Sequence, residues 1–156
     1  MSKTESADLI LKLYDLRREK KMRKARNWIF SYNPTSAEDY MQTMMDPEVG
    51  GYLRMVVSYW DMAATMVNHG AIDADMFYET AGEHILVFAK LEPILPQLRE
   101  MWQSPEALKN LEKVIMDRPD GAERLKKTQE WMKMIQEQMA EAAKKGKTEK
   151  ADEAKA

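Results

Sequence analysis

The sequence predicts an all-α fold, an irregular antiparallel bundle of about six helices with a central helical hairpin. Three observations predict it: apolar residues recur at helical spacing, no segment alternates or clusters β-branched residues as strands do, and capping and stop residues divide the chain into helix-length pieces. The hairpin is read between Val49 and Trp102, where two apolar stretches meet at a capped turn containing glycine.

Taken in order, Leu9, Ile10, Leu13, Leu16, Met22, Ala25, Trp28, Ile29 and Tyr32 predict one long helix from Glu5 to Tyr32, stopped by Asn33 and Pro34. Thr35 and Glu38 form a capping-box pattern for a short second helix ending near Met45. Asp46 and Pro47 open a third, whose apolar stripe is Leu53, Val56, Val57, Trp60, Ala64 and Val67; Gly50 and Gly51 weaken its first turn. His69 and Gly70 end it, Gly70 as a left-handed cap, and Asp73 starts the next helix with Ile72 and Phe77 placed as a hydrophobic staple. That helix is predicted to carry Phe77, Ala81, Ile85, Phe88 and Leu91 until Pro93 and Pro96 impose a kink or fresh start near Glu92. Ser104 and Pro105 open a helix from Ala107 to Met116, and a last one runs from about Asp120 to Ala143. Residues 1–143 are thus expected as a single helical domain, and 144–156, KGKTEKADEAKA after Lys144, as a disordered polar tail.

With 156 residues and no cysteine, the chain must be stabilised by packing, without disulfides or thiolate metal sites, which fits a cytoplasmic location. The apolar run near the start is far shorter than the roughly 20 residues that span a bilayer, so no transmembrane segment is expected. The net charge of -2 conceals a segregation: nine basic and four acidic residues from Met1 to Thr35, against one basic and nine acidic from Ser36 to Glu83.

Three stretches, ILKLYDLRREKKMRKARNWIF with NPTSAEDY, then YLRMVVSYWDMAATMVNHGAID, then an apolar helix ending in LREMW, resemble a bacterial helical family known as domain of unknown function 4760. The resemblance covers about residues 9–102. It implies the helical fold and a bacterial cytosolic protein, and carries no catalytic residue. Many members look as if a membrane-spanning helix precedes this module, and none is expected here.

Three constellations are candidates for function. The first is the basic surface Arg17, Arg18, Lys20, Lys21, Arg23, Lys24 and Arg26, suited to phosphates of nucleic acid or to an anionic membrane surface, although no aromatic residue is interleaved to stack on bases. The second is the acidic cluster Asp73, Asp75, Glu79, Glu83 and His84, in which Glu79 and Glu83 are expected on one helix face. Its spacing lacks the Glu-x-x-His pairs of di-iron bundles, and Asp73 and Asp75 read better as a cap and a dipole partner, so no catalytic residue, metal ligand or cofactor is assigned. The third is a self-association seam in the last helix, Leu125, Met132, Ile135 and Met139, with Thr128 and Ala142 completing the three-four spacing. Asp61, inside an apolar helix, requires a partner, with Arg26 or Arg99 expected. The leading expectation is a non-enzymatic helical module binding a protein partner or a second copy of itself. Nucleic-acid or anionic-membrane binding through the basic helix ranks second, and a carboxylate/His metal-dependent enzyme third.

Overall fold

The computed structural model describes residues 2–155, and among them every regular element is helical. The described residues form nine α-helices where about six were expected: α1 Lys3–Arg17, α2 Lys20–Ser31, α3 Ala37–Met44, α4 Gly50–Asn68, α5 Ala74–Thr80, α6 Glu83–Leu91, α7 Leu95–Met101, α8 Lys109–Met116 and α9 Gly121–Glu153. A 3-10 turn, Glu92–Ile94, joins α6 to α7 and is the fresh start that the two prolines predict.

Two of the extra elements come from breaks that the sequence reading bridged. The expected first helix divides at Arg18 and Glu19. Glu19 takes an extended ψ of 141° and its carboxylate accepts the Met22 N–H at 2.9 Å, starting α2 afresh. The break lets both pieces bury a face, Ser6 and Leu13 from α1 and Met22, Ala25 and Ile29 from α2. The second break is at Ala81 and Gly82, where Ala81 is extended (φ -127°, ψ 137°). It turns α6 so that His84, Ile85, Val87 and Phe88 face the core. Glu79 and Glu83 therefore lie on different helices, and the hairpin's second arm is not one continuous rod.

The hub is α4. Its buried stripe contains all six residues expected, Leu53, Val56, Val57, Trp60, Ala64 and Val67, together with Tyr59 and Ala63. It packs most extensively on α2 and α8, while α6 packs chiefly on α9. The turn after α4 forms as predicted. Gly70 has φ +75°, its N–H donates to the Val67 carbonyl, and the Ala71 N–H donates to that of Met66, the paired bonds of a left-handed helix cap. Asp73 then accepts the Met76 N–H, and Ile72 and Phe77 are each 1% exposed, closing the staple.

Several boundaries shift for local reasons. The cap of α3 is Ser36, whose hydroxyl accepts the Asp39 N–H; Thr35 instead donates its own N–H and hydroxyl to Asp39. Asp46 caps a preliminary turn through the N–H groups of Glu48 and Val49, and α4 proper begins at Gly50. Helix α8 starts two residues after Ala107, following Leu108 in the left-handed region (φ 58°). Helix α9 continues past Ala143 to Glu153, and from Lys144 on its residues are exposed apart from Gly146.

Two glycines mark close approaches. A Cβ on Gly121 would sit 1.8 Å from the Ile115 carbonyl oxygen, and one on Gly50 would sit 2.4 Å from that of Met44. A Cβ on Gly51 meets nothing within 4 Å. Urea denaturation of three variants checks this: Gly50→Ala and Gly121→Ala each lose about 2–3 kcal/mol from overpacking, whereas Gly51→Ala gains about 0.5–1 kcal/mol from reduced backbone entropy in the unfolded chain.

Candidate functional site

The acidic cluster is dispersed into structural duties. Asp73 pairs with Lys3 at 2.8 Å while capping α5, and these bonds hold its carboxyl below the usual carboxylate range, the Lys3 bond contributing most. Its own N–H donates to the buried hydroxyl of Ser6, which fastens α1 to the start of α5. Asp75 sits in the first turn of α5, where a carboxylate complements the helix dipole. Glu79 is exposed. Among the described residues no group of three or more His, Asp or Glu side chains is placed to hold a metal ion.

Glu83 is engaged most fully. Arg26 donates to both its carboxylate oxygens, Nε at 3.0 and 2.9 Å and Nη2 at 2.8 Å, and the Trp60 indole N–H donates to it at 3.1 Å. One carboxylate at the first position of α6 thus ties together α2, α4 and α6. Next to it, His84 lies between the rings of Phe77 and Trp60, with centroids 4.9 and 5.7 Å away. It is 1% exposed, and its Nδ1 has no hydrogen-bond partner. Burial, aided by the charge of Arg118, pushes its pKa down to about 4.

Asp61 is half-buried as expected, but its partner is neither Arg26 nor Arg99. Its Oδ1 accepts the Leu111 N–H at 3.1 Å, capping the first turn of α8. Arg99 instead donates to the Ala107 carbonyl and pairs with Glu112.

Of the seven residues of the candidate basic surface, two are drawn into the fold. Arg26 holds Glu83, and the Arg17 guanidinium lies 5.1 Å from the Tyr14 ring centroid and 5.5 Å from that of Trp60. Arg18, Lys20, Lys21, Arg23 and Lys24 are exposed, and none forms an ion pair among the described residues.

The seam in α9 is used unevenly. Leu125 is buried and Met132 packs against the core, Ile135 is half-buried, and Met139 is 64% exposed. As α9 leaves the bundle it forms one wall of an apolar trough of about 380 Å³, completed by Phe30 and Ser31 of α2, Asn33, and Leu86 and Lys90 of α6. Trp131, Met132, Ile135, Gln136 and Met139 line the α9 side. Sequence reasoning found three of these residues and missed the trough.

It also missed Lys90, a buried lysine in the apolar run ILVFAKL. The ammonium donates to the Tyr32 carbonyl at 2.8 Å, Asn33 Oδ1 at 3.0 Å and the Phe30 carbonyl at 3.3 Å, satisfying the C-terminal end of α2. No carboxylate pairs with it among the described residues, and burial lowers its pKa to about 8. A lone lysine in a helix otherwise entirely apolar beyond its first turn was the signal available.

His84 supplies a pH test. Its proton affinity is lower in the fold (pKa about 4) than in the unfolded chain (6.5), so between those values only the unfolded state takes up the proton and stability falls as pH falls. Melting temperatures from pH 7 to pH 4 should therefore decline less steeply for His84→Leu than for the unmodified protein.

No curated protein and no solved structure matches the chain. The family model described as Domain of unknown function (DUF4760) matches residues 4–117, a span that takes in α1 to α8 and stops before α9. Covering well over half of the 156 residues, that match shows the chain to be a member of this family.

Proposed function

We propose that the protein is a non-enzymatic helical module that works by binding a protein partner, and that its working surface is the trough between α2, α6 and α9. The observation that carries this reading is the apolar lining itself. Phe30, Trp131 and Met139 are 54%, 49% and 64% exposed around one concave patch, whereas other exposed large apolar side chains, such as Leu11, Leu16 and Met45, lie outside its lining. Contiguous apolar surface of this kind costs solvation free energy unless something covers it. Tryptophan and methionine are also the residue types that recur at the centres of protein interfaces.

The charged residues support the same reading by being occupied. Glu83, Asp73 and Asp61 each hold a helix end or a guanidinium, and His84 is enclosed by aromatic rings. A bacterial cytoplasm is the proposed setting, following from the composition and the family resemblance. A second reading, binding of nucleic acid or an anionic membrane surface, draws on the five unpaired cations from Arg18 to Lys24; it requires affinity that falls linearly with the logarithm of salt concentration.

Affinity purification from the native host, with the full chain and Met139→Glu as paired baits, tests the leading reading, alongside light scattering on a sizing column. The reading expects a partner retained by the unmodified chain, or a dimer mass, that is lost with Met139→Glu. Identical sets of bound proteins for both baits, with a monomer mass at every concentration, would contradict it.

A further inference from the structure

We propose that the partner element is an acidic amphipathic helix, its apolar side seated in the trough and its carboxylates facing a row of unpaired cations along α2 and on α9. This rests on the reading of the trough as an interaction surface and adds the chemistry of what it binds.

Shape is the first argument. The trough is concave and lies between helices, so it is the kind of groove into which a third helix lays an apolar stripe. Its floor offers Phe30, Leu86, Trp131, Ile135 and Met139. A second hollow of about 400 Å³ continues it past Asn33, Lys90, Met132 and Gln136 toward Pro93 and Lys133.

Charge is the second. Lys90 lies under the floor with no carboxylate beside it, and Lys133 at the rim has no ion pair among the described residues. On α2, Asn27, Lys24, Arg23 and Lys20 precede Phe30 or Ser31 at three-, four-, seven- and eleven-residue spacings, which places them on the same stripe of the helix. All are exposed, and Lys20, Arg23 and Lys24 form no ion pair among the described residues. Asp39 is committed to Thr35 and Glu92 to Gln129, while the exposed Glu130 and Glu137 lie three and four residues from Lys133 on α9, so the unneutralised margin is that of α2. An apolar groove with an unneutralised basic margin is complementary to a helix whose apolar stripe is flanked by glutamate or aspartate.

Other occupants fit less well. The free stretch of α9 from a second copy mixes Lys133, Lys144 and Lys145 with Glu137 and Glu141, so it brings no net attraction to a basic margin. A bilayer surface cannot enter a concave groove, and nucleic acid leaves an apolar floor unfilled.

Binding to the full-length protein can be followed through Trp131 fluorescence, with Trp131→Phe identifying which of the four tryptophans reports. The probes are three synthetic helical peptides of about four turns, sharing one leucine stripe and carrying Glu, Gln or Lys elsewhere. The Glu peptide should bind about tenfold tighter than the Gln peptide and should weaken with added salt; the Lys peptide should bind least. Lys24→Glu with Lys133→Glu, both at exposed positions, should reverse the order of the Glu and Lys peptides. Equal binding of all three peptides would overturn the acidic partner while leaving the interaction surface in place. Binding of none, together with an unchanged partner set for Met139→Glu, would remove both. Binding only to phosphatidylcholine vesicles containing about a quarter phosphatidylserine would overturn the proposal in favour of a membrane surface.

Discussion

The arrangement of α2 and α6 is governed by two cationic side chains that bridge them, one at each end of α6. Arg26 grips Glu83 at the start of α6, and seven residues later Lys90 reaches back to the carbonyls of Phe30 and Tyr32 and to Asn33 at the end of α2. Glu83 and Lys90 are seven residues, about 10 Å, apart along α6, and their partners lie four to seven residues apart from Arg26 to the end of α2 and just beyond it, so the two bridges hold these elements side by side. The contact is made through long polar side chains, and α2 with α6 is not among the closely packed helix pairs. The gap left between them at Phe30 and Leu86 is where the trough opens.

Both bridges obey the same electrostatic logic. Glu83 occupies the positive end of α6, and Lys90 sits at the negative end of α2. Each charge is thus compensated by a helix end in addition to its side-chain partners, which offsets part of the cost of burying it. Asp61 repeats the pattern at the start of α8, and Asp73 at the start of α5. The segregation of basic residues before Thr35 and acidic residues after it is therefore used within one chain, through Lys3 with Asp73 and Arg26 with Glu83. Most of what remains of the basic excess, Lys20, Lys21, Arg23 and Lys24, is exposed on α2.

The sequence made legible those elements whose signals are local. Gly70, Asp73, Ile72 and Phe77 form their cap and staple within eight residues of one another, and the α4 stripe needs only helical spacing to be read. Where the signal was weak or distant, the reading failed. Glutamate is not a preferred N-cap, so Glu19 gave little warning of the α1–α2 break, although the apolar stripe thins at that point. Ser36 lay one residue beyond a Thr-x-x-Glu pattern that was equally plausible. The partners of Asp61 and Glu83 lie 50 and 57 residues away, and no local pattern can specify contacts of that span. The trough depends on three helices meeting, so single residues from the seam were visible while their shared surface was not.

The most direct test of this two-point bridging is a double-mutant cycle on Arg26→Met and Glu83→Gln, measured by urea denaturation with α4 left unchanged. If the pair holds α2 against α6, each single change destabilises the fold and the two are coupled by about 1–3 kcal/mol. Additive effects, with a coupling indistinguishable from zero, would show that the bridge does not set the geometry of the trough.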